Sequence, residues 1–242
     1  MIGIAIPAHD EEELIGDCLS SLLYASADLA LAGEKIAIVV VLDACSDHTK
    51  FIVQCYAEQA LQVNCVIKYL EIEAHNVGIA RDIGARYLLN TGARWLAFTD
   101  ADTCVAPTWL SDQIALNVDV VCGPVTPDHW SQPPDVASIL RGHFMHAYDD
   151  KDGHRHIHGA NFGVSAEFYS VAGGFPALTC HEDVAFAKAL ERAGARFAWS
   201  SVPRVITSAR LEGCIRGGFG DTLAGIVATG LIAEADEHAS GL

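Results

Sequence analysis

Residues 95–103 read Trp95-Leu96-Ala97-Phe98-Thr99-Asp100-Ala101-Asp102-Thr103. An apolar run meets two aspartates separated by one alanine. Side chains of a strand alternate with period two, so carboxylates at i and i+2 can face the same way where the chain leaves a sheet. Two acids that close repel each other unless a cation lies between them. Mg²⁺ or Mn²⁺ takes a few carboxylates, keeps water and completes its shell with phosphate oxygens. The same residues also read as a loop of solvated acids capping a following helix. Their place at the end of an apolar strand favours the metal reading, with Asp100 and Asp102 as ligands.

Working outward, further strands are expected at Gly3–Pro7, Ile36–Leu42, Cys65–Leu70 and Val118–Cys122. Between them lie helical patterns. Leu14, Ile15, Cys18, Leu19, Leu22 and Leu23 make one apolar face of Glu11–Ala25, with Asp10 and Glu11–Glu13 suited to its N-terminal end. Ser46–Ala60 and Val77–Leu89 follow, with Phe51, Ile52, Cys55 and Tyr56, then Ile79, Ile83 and Leu88, as their expected core residues. This alternation predicts an α/β fold, a Rossmann-like and mostly parallel central sheet with helices on both faces. Ligands of such sheets collect at the carboxyl ends of the strands.

Composition narrows the function. The formal net charge of −16 argues against nucleic acid or an anionic membrane surface as a general partner. Every apolar run of spanning length carries charge, so no integral membrane segment is expected, although transient membrane contact stays open. Met1 leads directly into Ile2-Gly3-Ile4-Ala5-Ile6, which reads as a core strand and not as a signal peptide. Eight scattered cysteines without a Cys-x-x-Cys pair fit free thiols in a cytoplasmic protein.

The informative residues fall at strand ends. The first strand ends in Pro7-Ala8-His9-Asp10-Glu11, an ordinary turn or one whose N–H groups meet a ligand. The second ends in Asp43-Ala44-Cys45-Ser46-Asp47, where Asp43 can accept from ribose hydroxyls or a base N–H, and Ser46 or Asp47 can cap the next helix. After the third comes Asn76-Val77-Gly78-Ile79-Ala80-Arg81-Asp82. Arg81 can reach a phosphate with its planar fork, or pair with Asp82 at the surface.

Together these segments resemble the family-2 glycosyltransferases of GT-A fold, over about residues 2–210. Pro7, Asp10 and Glu11 match the family's Pro-x-x-Asn-Glu-type segment, with Asp in place of Asn. Asp43 matches its acid after the second strand, and Asn76, Gly78, Ala80 and Arg81 match its Asn-x-Gly…Ala-Arg segment. Asp100 and Asp102 match its Asp-x-Asp. The resemblance implies nucleotide contacts from Pro7, Ala8, Glu11, Asp43, Arg81 and Asp100. It makes Asp102 the direct ligand of a divalent metal, Mn or Mg, with Asp100 beside it.

A soft boundary is expected near residue 124, between a nucleotide-sugar half (1–123) and an acceptor half (124–210) that shares the sheet. After a helix at Val136–Tyr148, His154-Arg155-His156-Ile157-His158 would place three imidazoles on one strand face, as a metal site or as a polar wall of the cleft. Gly159–Gly163 and Gly173-Gly174-Phe175 resemble the family's sugar-pocket segment. Glu182 and Asp183 open a helix, where acids suit the dipole. The resemblance makes Asp183 the catalytic base, with Glu182 orienting the acceptor or purely structural.

Many family members carry a histidine metal ligand 20–40 residues further on. This chain has none between His181 and His238, and Val205–Arg210 stands at that place. Arg210 and Arg216 are candidates to meet the diphosphate or an anionic acceptor. Residues 211–242 are expected to form a glycine-rich arm, then a helix at Asp221–Ala233 that packs on the body or on a second subunit of a homodimer, then a frayed acidic tail.

The expected activity is inverting, metal-assisted transfer from a nucleotide-diphosphate sugar, UDP-linked in preference to GDP-linked, to an acceptor that the sequence does not identify. Two rivals stay open. A haloacid-dehalogenase-type phosphatase would use Asp100 as nucleophile and Asp102 as acid. A non-catalytic nucleotide-sugar binder would keep only the cleft.

Overall fold

Strands of a parallel sheet covered on both faces need continuous apolar runs, and the N-terminal half supplies them. In the computed structural model, which describes residues 1–61, 64–128, 130, 133–148 and 150–210, β1 (Ile2–Ala8) and β2 (Ile36–Asp43) are buried almost throughout. Helices α1 (Ile15–Ser26), α2 (Thr49–Ala60) and α3 (Val77–Asn90) alternate with them and with β3 (Cys65–Ile72) and β4 (Trp95–Phe98). Next come β5 (Thr103–Val105), α4 (Trp109–Ala115), β6 (Val120–Cys122), β7 (Val125–Asp128) and α5 (Pro134–Ala147). The remaining elements are β8 (Phe162–Ser165), α6 (Ala166–Ala172), α7 (Glu182–Arg192), β9 (Phe197–Trp199) and β10 (Val205–Ser208).

The main sheet runs β3-β2-β1-β4-β8-β6-β9. The first four strands are parallel, and β8 is antiparallel to both β4 and β6. Thus a strand from beyond residue 124 is threaded between two from before it. Ile2, Ile4 and Ile6 meet α1 and α2 on one face, whereas Ala5, Val39 and Val41 meet α3 on the other. Helix α3 lies close because its buried positions are small: a Cβ at Gly84 would stand 3.1 Å from both Ala5 Cβ and Val41 Cγ2. A smaller sheet, β5-β10-β7, continues from the Asp100–Asp102 turn.

The structure corrects several sequence expectations. Helix α1 starts at Ile15, four residues late, because Asp10 and Glu12 turn away from it. Asp10 accepts the N–H groups of Ser46 (2.6 Å) and Asp47 (3.2 Å), and Glu12 accepts that of His48 (2.9 Å). On α2, Phe51 and Cys55 are exposed, and Val53 and Ala60 are the residues that enter the core. Ile79 and Ile83 of α3 are only half-buried for the same reason, since the face against the sheet is Ala80, Gly84, Ala85 and Leu88. The strand expected at His154–His158 is absent, because these residues pair with no ladder. Their rings nevertheless stack in series, with centroids 5.5 and 6.0 Å apart.

Arg216, the glycines from Gly213 to Gly220 and the Asp221–Ala233 helix lie outside the described residues. Among the described residues no helix is long and apolar enough to cross a membrane.

Candidate active site

Strand β1 has β2 on one side and β4 on the other, so the chain reverses its direction of winding there. A sheet opens a crevice at such a switch point, beyond the carboxyl ends of its strands. Here those ends carry Pro7-Ala8, Asp43 and Asp100.

Asp43 is buried, and its carboxylate accepts three backbone N–H groups, from Ala74 (2.7 Å), His75 (2.9 Å) and Asn76 (2.8 Å). These bonds hold the turn into α3, where His75 is left-handed at φ 47°. A carboxylate has about four acceptor positions, so one direction is left for a ligand. The Asn76 side chain caps α3 by accepting the Ile79 N–H at 2.9 Å.

One turn later Arg81 is 4% exposed, and its two Nη groups donate to Asp100 and to Glu182. Burial opposes its charge, and the two carboxylates more than restore it, so its pKa lies above the ordinary value. The pairing gathers the end of β4 and the start of α7, 82 residues apart in sequence, around a single guanidinium. Arg81 thus does not pair with Asp82 at the surface, and both of its Nη groups meet carboxylates. Asp82 instead receives Tyr169 Oη at 2.7 Å and Arg86 Nε at 2.6 Å.

The guanidinium lies flat against Gly159, where a Cβ would stand 2.4 Å from Arg81 Nη2. Gly159 also donates its N–H to Asp183 Oδ2 at 2.9 Å, and the Val184 N–H donates to Oδ1 at 2.7 Å. Asp183 is therefore oriented by two backbone donors while half-buried beside Arg81. Burial pushes the Glu182 carboxyl upward, with Arg81 acting against that push.

On the other side of Asp100, Asp102 is held by the small sheet. Thr103 and Thr207 hydroxyls approach its Oδ1 at 3.2 and 3.4 Å, and Arg210 Nη2 lies 3.4 Å from Oδ2. Burial, then the Asp100 charge, raises the Asp102 carboxyl above its usual range. The same Arg210 Nη2 donates to Glu11 Oε1, and Glu11 Oε2 is buried without a hydrogen-bond partner among the described residues. Burial likewise raises the Glu11 carboxyl, with the Arg210 pairing opposing it.

Beyond Gly159, His158 Nε2 and Tyr148 Oη are hydrogen-bonded at 2.9 Å, and that hydroxyl also accepts the Val125 N–H at 3.1 Å. Burial, aided by His156 and His154, lowers the His158 pKa to about 4. The histidines stack as a wall, and among the described residues they belong to no group with converging metal-ligand atoms. Among the described residues, the group whose ligand atoms converge within 4.8 Å is Asp10, Cys45 and Asp47. Asp10 there is exposed and already serves Ser46 and Asp47.

Of the residues that the sequence singled out, Arg81 joins Asp100 to Glu182 with Asp183 next in the chain, Arg210 joins Glu11 to Asp102, and Asp43 stands at the neighbouring end of β2. The profile of glycosyl transferase family 2 matches residues 3–170, more than two thirds of the chain.

The chain belongs to glycosyltransferase family 2.

Among curated proteins, none matches its sequence. Solved structures do resemble this family-2 chain in fold. The mannosyltransferase PcManGT from Pyrobaculum calidifontis, in complex with GDP-Man and Mn²⁺, superposes with a TM-score of 0.66 at 18% identity, covering 97% of this chain and 75% of that one. TarS 1–349 from S. aureus in complex with UDP gives 0.61 at 17% identity over 96% of this chain and 65% of that one. Its complex with UDP-GlcNAc gives 0.63 at 17%, over 96% and 66%. The fold is accordingly of the GT-A type, and this chain spans about two thirds of the TarS chain.

Sequence reasoning missed two features of this family-2 crevice. The backbone of Gly159 both seats Arg81 and orients Asp183. Thr207 lies in the Val205–Arg210 segment that stands where a histidine is expected, and it is the pairing of β10 with β5 that brings it to Asp102.

Proposed function

We propose that the protein transfers a sugar from a nucleotide-diphosphate donor, UDP-linked in preference to GDP-linked, to an acceptor hydroxyl with inversion at the anomeric carbon. The observation that carries this reading is the Arg81 bridge, which joins Asp100 and the Glu182–Asp183 helix start through one buried guanidinium.

Residues 1–123 would supply the donor side, with Pro7, Ala8 and Glu11 beside the nucleotide and Asp43 offering its remaining lone pair to the base or ribose. Residues 124–210 would supply the acceptor side. Arg81 holds Asp100 in place and touches the nucleotide only through that carboxylate. Asp183, oriented by the Gly159 and Val184 N–H groups, takes the proton of the acceptor hydroxyl as it attacks from the face opposite the nucleotide. Glu182 is bound to Arg81 and acts as a positioning residue.

The donor set of Asp102, Asp100 and two threonine hydroxyls is all oxygen, which suits Mn²⁺ or Mg²⁺. Bound there, the ion would offset the charge gathering on the departing diphosphate. Support for this arrangement comes from the complexes of PcManGT with GDP-Man and Mn²⁺ and of TarS with UDP-GlcNAc. Family membership sets aside the phosphatase reading of Asp100. The unpaired thiols, Cys55 exposed among them, fit a cytoplasmic location.

Asp183→Asn tests the mechanism. It should bind UDP or GDP as the unaltered protein does and lose donor turnover by about a thousandfold. Near-normal turnover would remove Asp183 from the role of base.

A further inference from the structure

Arg210 occupies the place in the crevice where positive charge is needed most. Its Nη2 donates to Glu11 and lies 3.4 Å from Asp102 Oδ2, so one guanidinium is shared by two carboxylates that come from β1's end and from the Asp100–Asp102 turn. Glu11 is 8% exposed, and its second oxygen is buried with no hydrogen-bond partner among the described residues. A buried carboxylate oxygen without a partner is costly, and an acceptor left in that state beside Asp102 marks a position built for a ligand that is cationic or donates protons. Glu11, Asp100 and Asp102 are not drawn together tightly enough to chelate while the guanidinium stands among them.

Resting on the proposed donor chemistry, we infer that Arg210 is a place-holding cation: it occupies the carboxylates of Glu11 and Asp102 until a divalent ion replaces it, and it then pairs with the donor's diphosphate. Two facts favour exchange over permanent occupancy. The contacts of Arg210 to Glu11 and Asp102 both run through the one Nη2, just past the end of β10, and its side chain is 31% exposed and outside the packed core. A divalent ion beside a resident guanidinium would place two cations in one partly desolvated pocket, and a diphosphate arriving with the ion offers the guanidinium a bidentate anionic partner. Glu11 then becomes a further carboxylate facing the ion, on a chain that has no histidine between His181 and His238.

The inference makes metal and nucleotide respond in opposite directions to one substitution. Free Mn²⁺ is followed by its electron paramagnetic resonance signal, and UDP and GDP binding by calorimetry, in the full chain and in Arg210→Gln and Arg210→Lys, with folding of each checked by thermal unfolding. Without nucleotide, Arg210→Gln should bind Mn²⁺ about tenfold more tightly, and Arg210→Lys, which keeps the charge, should stay near the unaltered affinity. With Mn²⁺ saturating, Arg210→Gln should bind the nucleoside diphosphate about tenfold more weakly. Unchanged or weaker Mn²⁺ binding by folded Arg210→Gln would overturn the place-holding role, and unchanged nucleotide affinity would overturn the transfer to diphosphate. An unaltered protein that binds neither Mn²⁺ nor a nucleoside diphosphate would instead defeat the transferase reading itself, and this inference with it.

Discussion

Asp183 accepts the backbone N–H of Gly159 at 2.9 Å, and the same glycine is the surface on which the Arg81 guanidinium lies. A residue without a side chain therefore sets both the orientation of the proposed base and the closeness of the ion pair that binds α7 to β4. Gly159→Ala would put a methyl group 2.4 Å from Arg81 Nη2. The expected cost is about 1–3 kcal/mol of overpacking, read as a lower unfolding midpoint, together with a loss of turnover that exceeds the loss of nucleotide affinity.

Arg81→Met should leave Glu182 buried and uncompensated. Removing one partner of a buried pair typically costs about 3–5 kcal/mol. Because burial already raises the Glu182 carboxyl, protonation relieves the variant. Its deficit relative to the unaltered protein should therefore shrink as pH falls from 7 toward 5. A deficit that does not change with pH would mean that Glu182 is not the group left exposed to the loss.

His158 gives a pH signature of opposite sign. Its folded pKa, lowered from 6.5 to about 4, means that the unfolded chain binds the extra proton first. Stability from this group is present above pH 6.5 and is lost as pH falls toward 4, by at most roughly 3 kcal/mol. Replacing His158 by Gln should flatten that part of the stability curve, and imidazole proton shifts should show the His158 ring neutral at pH 5.

Asn161 fastens the two sheets. Its Nδ2 donates to the carbonyls of Pro124 and Pro203, each at 2.8 Å, and its Oδ1 accepts Trp109 Nε1 at 2.8 Å, all of them buried. Asn161→Ala would strand an indole N–H and two carbonyls, at a cost of about 1–3 kcal/mol for each buried group left unpaired. Chemical denaturation should register a loss of several kcal/mol, against a negligible loss for Arg141→Gln at an exposed pair.

Much of the parallel half was readable because each of its strands is an apolar run bounded by a turn, and the acids at the ends of those runs fall into one crevice by topology alone. What the sequence concealed is of another kind. The helix face of α3 is made of Ala and Gly, so hydrophobic periodicity pointed to Ile79 and Ile83, although close approach to β1 and β2 requires the small residues. The acids after β1 looked like a helix cap, but a left-handed Asp10 turns its carboxylate to the Ser46 loop. Period two in His154–His158 did give stacked rings, but strand ladders depend on a neighbour, and β8 takes the place beside β4 instead. The partners of Arg81 and Arg210 depend on contacts across roughly 100 and 200 residues, which no local pattern encodes.

The most direct test of the donor site is thermal unfolding of the unaltered protein with UDP or GDP, each with and without Mn²⁺. At about a hundred times its dissociation constant, a ligand that binds only the native state adds roughly 2.7 kcal/mol, or about 5–10 °C for a chain of this size. The crevice built around Asp100 and Asp102 predicts that shift for a nucleotide with Mn²⁺, larger for UDP than for GDP, and little or none when the metal is withheld. No shift with either nucleotide, or an equal shift in the absence of metal, would contradict it.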